Sequence, residues 1–214
     1  DTTSLSKFFK AARKSAPSVA DHHLYAKTGL ALLAKPERQQ CLSKIKRLLS
    51  VTDTVWHNHY YYAIARFSEL VQSAPASEFH HHNYEGGLID HTLEALHIGI
   101  KVSLGFVIPP NTTPESLAGS TDKWRFGVFI AILAHDVGKI LTDMEFIYKI
   151  NNDFVRWSPW SERMPIGAHY LVRYKKRAEN TATAKSLHEK AAIGLLPQLL
   201  TKEASLWLMS DPEL

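Results

Sequence analysis

The feature that most constrains the fold is a nearly continuous apolar run over residues 124–140, which ends in Ala134-His135-Asp136-Val137-Gly138-Lys139. Apolar character on most sides predicts a helix buried within a bundle. That helix carries a difficulty into the core, because an imidazole and a carboxylate left unpaired there would cost several kcal/mol. A divalent metal satisfies both groups at once. Gly138 lets the chain turn away, and Lys139 stands close enough to neutralise a phosphate oxygen.

A second histidine-bearing block precedes this run, His80-His81-His82-Asn83-Tyr84-Glu85-Gly86-Gly87-Leu88-Ile89-Asp90-His91. Its glycine pair allows close backbone approach before a helix predicted over residues 88–104, with His91 in the first turn. His91, His135 and Asp136 therefore lie at the ends of two rigid elements, where a hydrolytic metal site needs its ligands. Asp136, at a helix end, is able to bridge two ions.

Around these blocks the periodicity predicts a mostly α protein. Residues 38–72 suit one long helix or two meeting near 50–53, with Pro75 as the stop. Residues 109–121, rich in Pro, Thr, Ser and Gly, read as a surface loop. Residues 145–157 read as a β-hairpin turning at Asn151-Asn152-Asp153. A helix over 183–200 is bent or ended by Pro197, and a short one follows over 203–209. The expected organisation is an N-terminal segment of helical pieces and loops, residues 1–37, followed by one metal-binding helical domain, residues 38–214.

At 214 residues and 45% hydrophobic, the chain can bury one substantial core. A net charge of +4 admits an anionic partner without demanding one. The single cysteine excludes an intramolecular disulfide and a thiolate zinc cluster, and Cys41, among Leu42, Ile45 and Leu48, reads as core packing. No stretch is long and apolar enough to enter a membrane, so the expected location is the cytoplasm. The missing initiator Met and a stop at Leu214 just after an apolar run read as a piece of a longer protein. His57-Asn58-His59 reads as part of an aromatic packing face, because a His-x-His pair on a helix points its rings about 200° apart.

The His, then His-Asp, pattern of His91, His135 and Asp136, in the form His-Asp-Val-Gly-Lys, resembles the HD-domain metal phosphohydrolases, which implies an HD-type helical bundle. The wider block, Pro75-Ala76-Ser77-Glu78-Phe79-His80-His81-His82 through Gly86-Gly87-Leu88-Ile89-Asp90-His91-Thr92-Leu93-Glu94, resembles the amino-terminal domain of H-class (MobH, TraI_2-type) conjugative relaxases. It is more loosely similar to bacterial HD-domain 3′-5′ exoribonucleases. The resemblance implies a bacterial, metal-dependent phosphodiesterase that nicks one DNA strand at an origin of transfer. It also implies contact with the single strand that results and with other conjugation proteins. Two alternatives stand beside it: an exonuclease or nucleotide phosphohydrolase on the same site, and a DNA-binding assembly module whose metal is structural.

The resemblance further implies one or two divalent ions, manganese first, with iron, zinc, nickel or magnesium as the others. His169 and His188 fall in the interval where two-ion HD sites add histidines, and Asp211 is the candidate for the closing carboxylate. One or two of His80, His81 and His82 are expected to face the site as ligand or substrate contact. Water is the simpler nucleophile, with His82 beside the reaction and Tyr84 the candidate for a covalent route. The basic stretch Arg173, Lys175, Lys176 and Arg177, flanked by Tyr170 and Tyr174, reads either as a contact to DNA phosphates or as a solvated charged face. Trp157 and Trp160 read as hairpin packing before base stacking.

Overall fold

The computed structural model describes residues 24–78, 81–109, 114–151, 153–175 and 181–211, without the side chains of 114–119 and 181–186. A short strand β1 (Leu24–Tyr25) leads into α1 (Gly29–Leu33) and α2 (Pro36–Leu49). Ser50 then takes a left-handed conformation with φ 51°, which ends α2 and places the helix break where the sequence expects it. The next helix begins as α3 (Asp53–Val55), passes through a π-helical turn over Trp56–Tyr61 and continues as α4 (Tyr62–Val71). It stops at Gln72, before Pro75, because Gln72 turns to φ 51° and its side chain bonds the backbone of Lys27 and Glu69.

Further helices build the centre. α5 (Gly87–Ser103) packs against α2 and α6 (Pro114–Ala134). α8 (Thr181–Leu199) crosses α4, α6 and the short α7 (Lys139–Thr142), and α9 (Lys202–Met209) lies on α6. Two expectations are corrected here. Residues 114–121 belong to α6 and not to a surface loop, because Pro114 sits at the helix start, where its missing N–H costs nothing. Pro197 does not end α8, which runs two residues further to Leu199.

The hairpin is present as β2 (Met144–Ile150) and β3 (Asp153–Arg156). It is half of a larger antiparallel sheet of order β1-β4-β2-β3, completed by β4 (His169–Tyr174). The sheet turns Phe146, Tyr148, Tyr170 and Val172 onto the helices, and alternation sends Arg173 and His169 to the other face. Trp157 is buried with its ring edge-on to Phe146 and its indole N–H donating to the Glu162 carbonyl, so it packs the hairpin. Trp160 is exposed at its rim but lies against Gly194 of α8. Residues 24–37 join the same core, with Leu24, Leu32 and Leu33 buried. Among the described residues no helix is long and apolar enough to cross a membrane.

One buried cation holds the helix ends together. Arg38 donates through Nε to Asp90 Oδ1 at 2.6 Å, through NH1 to the Leu32 carbonyl at 2.5 Å and through NH2 to the Gly86 carbonyl at 3.0 Å. It thereby ties α1 and α2 to the first turn of α5, and Gly86 is where this demands glycine. Its φ is +78°, and a Cβ there would lie 2.5 Å from the Arg38 guanidinium. Arg38→Ala leaves Asp90 half-buried and unmatched, so it should cost about 2–4 kcal/mol in urea unfolding.

Two buried tyrosines respond to pH. Burial pushes Tyr60 and Tyr170 up to about 12, the charge of Asp122 adding to the shift at Tyr60 and a hydrogen bond with Ser73 opposing it at Tyr170. An unfolded tyrosine ionises near 10, so between about 10 and 12 the folded chain holds more protons than the unfolded one. Stability should therefore be full below about pH 10 and fall as pH rises towards 12, as followed by circular dichroism in urea. Tyr170→Phe should make that fall shallower.

Candidate metal centre

The centre assembles from three backbone pieces. His91 is in the second turn of α5. α6 ends at Ala134, and His135 and Asp136 occupy the tight turn that carries the chain into α7. His188 arrives from α8. What lets α8 approach is Gly138, where a Cβ would fall 1.8 Å from the His188 carbonyl oxygen and 3.0 Å from the Ala192 nitrogen. The glycine of His-Asp-Val-Gly-Lys is thus required for a helix contact more than for the turn, since its φ of −63° suits any residue.

His135 and His91 bring their Nε2 atoms to 3.3 Å, and each lies 3.4 Å from Asp136 Oδ2. His135 Nδ1 is 2.6 Å from the Ile132 carbonyl, which can only accept, so Nδ1 carries the proton and the Nε2 lone pair faces the cluster. This is the outer hydrogen bond that metal-binding imidazoles use. Lys139 Nζ donates to Asp136 Oδ2 at 2.6 Å and to the Ala76 carbonyl at 3.2 Å. Burial would raise the Asp136 carboxyl, but hydrogen bonds from His91 and Lys139, with the lysine charge, hold it well below the usual carboxylate range.

The residues fit an ion. Three ligand atoms within 4.8 Å of one another form the one such group among the described residues. Bonds of about 2.0–2.1 Å to a tetrahedral ion set neighbouring ligand atoms about 3.3 Å apart, the spacing found here. His188 adds to the fit: its Nε2 lies 3.9 Å from Asp136 Oδ1, and its Nδ1 is buried with no hydrogen-bond partner among the described residues. The two oxygens of Asp136 thus face different histidines. His91 and His135 each keep 37% of their side-chain surface exposed, so the cluster opens to solvent. It also opens onto a groove of about 850 Å³ between α6, α8 and α9, walled by Ile130, Ala131, Ile193, Leu196 and Leu208.

The loop that carries the histidine triplet is held by its backbone. Gly86 and Leu88 donate to the Ser73 and Ala74 carbonyls, and Ala76 donates to the His82 carbonyl, each at 2.9–3.0 Å. Tyr170 and Tyr174 of β4 bond the Ser73 nitrogen and the Pro75 carbonyl from below. His82 comes out beside the cluster, its ring 5.5 Å from that of His91, with Nδ1 3.0 Å from the Tyr84 hydroxyl and Nε2 3.2 Å from Glu94 Oε2. His81 is exposed, and only its carbonyl has a described bond, from Ser77. His80 lies outside the described residues.

Other expected site residues fall elsewhere. His169 pairs with Tyr25 across the sheet, its ring 5.5 Å away. Because neighbouring Tyr170 points inward, alternation turns His169 to the outer face, away from the cluster. Asp211 follows α9, whose end is fixed by the 2.8 Å bond between Ser210 and Lys123. Lys123 is eleven residues before Ala134, about 16 Å along α6, which sets the end of α9 against the middle of that helix and not at its cluster end. Arg173 is committed to buried Glu145, at 2.9 and 2.7 Å, together with Arg156. Lys175 bonds the Leu141 carbonyl, and Lys176 and Arg177 lie outside the described residues. His59 meets Phe126 edge-on within the π-helical turn, as a packing role requires. Cys41 approaches the Leu93 carbonyl, and burial raises its thiol. Sequence reasoning missed Glu94 and Arg38. Glu94 sits three residues after His91, on the same helix face, a spacing that could have disclosed it.

Comparison with known families bears on what this geometry is for. A family model named TraI_2 and described as "Putative helicase" matches residues 23–214, and the chain belongs to that family. Membership supports a TraI-type, conjugative relaxase-like domain. A search of curated proteins found no match.

Two substitutions test the centre by calorimetric titration with manganese and zinc. Asp136→Ala should abolish tight binding, and His188→Ala should weaken it at least tenfold, as loss of a group within reach of the shell does. Gly138→Ala should cost about 1–3 kcal/mol by overpacking α7 against α8 and weaken metal binding with it.

Proposed function

We propose that this domain is a metal-dependent phosphodiesterase of the HD type that nicks one DNA strand at an origin of transfer, the relaxase step of conjugation. The observation that carries the proposal is the convergence of His91, His135 and Asp136 on one point, with His188 on the far oxygen of Asp136. Manganese is the ion proposed first, with iron, zinc, nickel or magnesium as the others; imidazole and carboxylate donors suit them. Two ions are proposed because Asp136 presents an oxygen to each side. When bound, such ions supply a hydroxide near neutral pH and polarise the phosphate.

The chain's own residues do the remaining work. His135 holds its Nε2 lone pair on the cluster, locked by its bond to Ile132, and His91 brings its Nε2 to the same point. Lys139 sits against Asp136 and can shift its charge to a phosphate oxygen bound beside it. His82 stands beside the cluster, its ring 5.5 Å from that of His91, where an extended strand would pass. DNA, the single strand released and other transfer proteins are the proposed partners. The whole 214 residues contain no G-x-x-x-x-G-K-[ST] loop, since the only Gly-Lys, at 138–139, precedes Ile140; strand separation driven by a nucleotide is therefore not part of the proposal.

Nicking of supercoiled origin DNA by the purified domain, dependent on added manganese, should disappear with His135→Ala and with Asp136→Ala. Undiminished nicking by both variants would sink the proposal. The groove beside the cluster favours one second reading, a nucleotide-releasing exonuclease, because it has room for an unstacked nucleotide. Release of mononucleotides from single strands lacking any origin would select that reading. A purely structural metal is disfavoured by the solvent exposure of His91 and His135.

A further inference from the structure

We propose that the groove beside the cluster is a subsite for one unstacked base of the substrate strand, and that Glu189 makes it prefer guanine. The proposal rests on the phosphodiesterase reading above and adds to it which nucleotide adjoins the phosphate.

Continuity with the cluster is what assigns the groove an occupant. His135, Asp136 and His188 stand in its lining, so a phosphate held by them has its own sugar and base at the mouth. Beyond the mouth the walls are apolar. On α6 the residues that face the groove are small: Gly127, Ala131 and Ala134, spaced by four and three along one helix face, leave open the width that larger side chains would fill. Ile193 of α8 and Met209 of α9 line it from the other helices, 67% and 80% exposed, and a flat ring laid in the groove would cover both. A volume of about 850 Å³ falls within the range of small-ligand sites. Proteins that act on one nucleotide take it out of the stack and read its base between apolar side chains, by hydrogen bonds to the pairing edge.

Two polar side chains are in place to read that edge. Glu189 follows His188 on α8, is exposed to the groove, and no bond among the described residues occupies its carboxylate. Ser205 looks into the same groove from α9. The contact that seats His188 also seats Glu189: Gly138 receives the His188 carbonyl, where a Cβ would fall 1.8 Å from its oxygen. The group that reads the base and the group that faces Asp136 are thus set by one helix contact.

The choice of guanine follows from the donors and acceptors. A carboxylate offers two neighbouring acceptors and no donor. Guanine presents two neighbouring donors on its pairing edge, the ring N–H and the amino group, and so engages both oxygens. Adenine and cytosine set one amino donor beside an acceptor nitrogen, and thymine sets one N–H between two carbonyls. With any of these three, the second carboxylate oxygen faces a lone pair. The guanine carbonyl, next along the same edge, can accept from the Ser205 hydroxyl.

The first measurement needs no metal. The chain has three methionines, and labelling their methyl carbons for NMR makes Met209 a reporter in the groove. Met144 and Met164, 1% and 3% exposed and outside that lining, serve as controls. On titration with dGMP, dAMP, dCMP or dTMP, the Met209 signal should move while the controls stay. dGMP should bind at least about fivefold more tightly than the others, the low end of what a bidentate side chain discriminates between bases. Glu189→Gln, which exchanges one acceptor for a donor, should bring dGMP to the dAMP value. Ala131→Leu, at an exposed position and checked for folding by circular dichroism, should weaken all four by filling the groove. Equal binding of the four nucleotides, a Met209 signal that none of them moves, or a guanine preference that survives Glu189→Gln each overturns the proposal.

The second measurement separates the subsite from the reading beneath it. With manganese present, the 4-nitrophenyl esters of the four deoxynucleoside 5′-phosphates are compared by kcat/KM, which should favour the guanine ester in wild type and no ester in Glu189→Gln. Cleavage of all four at one rate, without a dGMP preference at Met209, overturns the subsite and leaves the metal phosphodiesterase standing. A dGMP preference that Glu189→Gln removes, with no ester cleaved, supports the subsite and overturns the phosphodiesterase instead.

Discussion

A buried carboxylate is the constraint on which this structure turns. Asp136 sits at the end of a helix whose other residues are chosen for burial, and it stays ionised there only because its neighbours compensate. Lys139, one turn on, supplies a charge, while His91 and His188 come from two other helices and His135 from the same turn to surround it. The bundle can therefore be understood as the means of bringing those helices to one carboxylate. α5 is fixed by Arg38, α8 is admitted by Gly138, and α6 is bent into α7 at the site itself.

The described parts of the loop, residues 73–78 and 81–88, show how the site is finished. They have little regular structure, yet their backbone groups pair across the loop, with the sheet below and with Lys139. Such pairing is what permits an irregular segment to hold a histidine at φ 60° against its preference. The family match covers loop, helices and sheet together, from residue 23 to 214.

Much of this was legible in the residues. The apolar run before His135 announced a central helix, and its polar ending announced a site. The hairpin was visible in its turn chemistry, while β1 and β4 were not, because a two-residue strand has no period and β4 was read by its charges. His91, His135 and Asp136 are brought together as their helical positions suggested. His169 and Asp211 were not separable from His188 by spacing, since only strand alternation and the packing of α9 decide which of them faces inward. Glu94 lay within the quoted block but acquires meaning only once His82 folds back over α5.

The sheet has a use that its distance from the chemistry conceals. Tyr170 and Tyr174, on alternate positions of β4, grip the Ser73–Ala76 backbone that in turn grips His82. The pairing of β4 with β2 thus acts as a ruler for the loop that carries His82. A slip of one residue would turn both phenols to the outer face and release the loop at two points together. On the outer face Glu145, shared by Arg156 and Arg173, ties β3 and β4 to β2 and so holds that ruler in register.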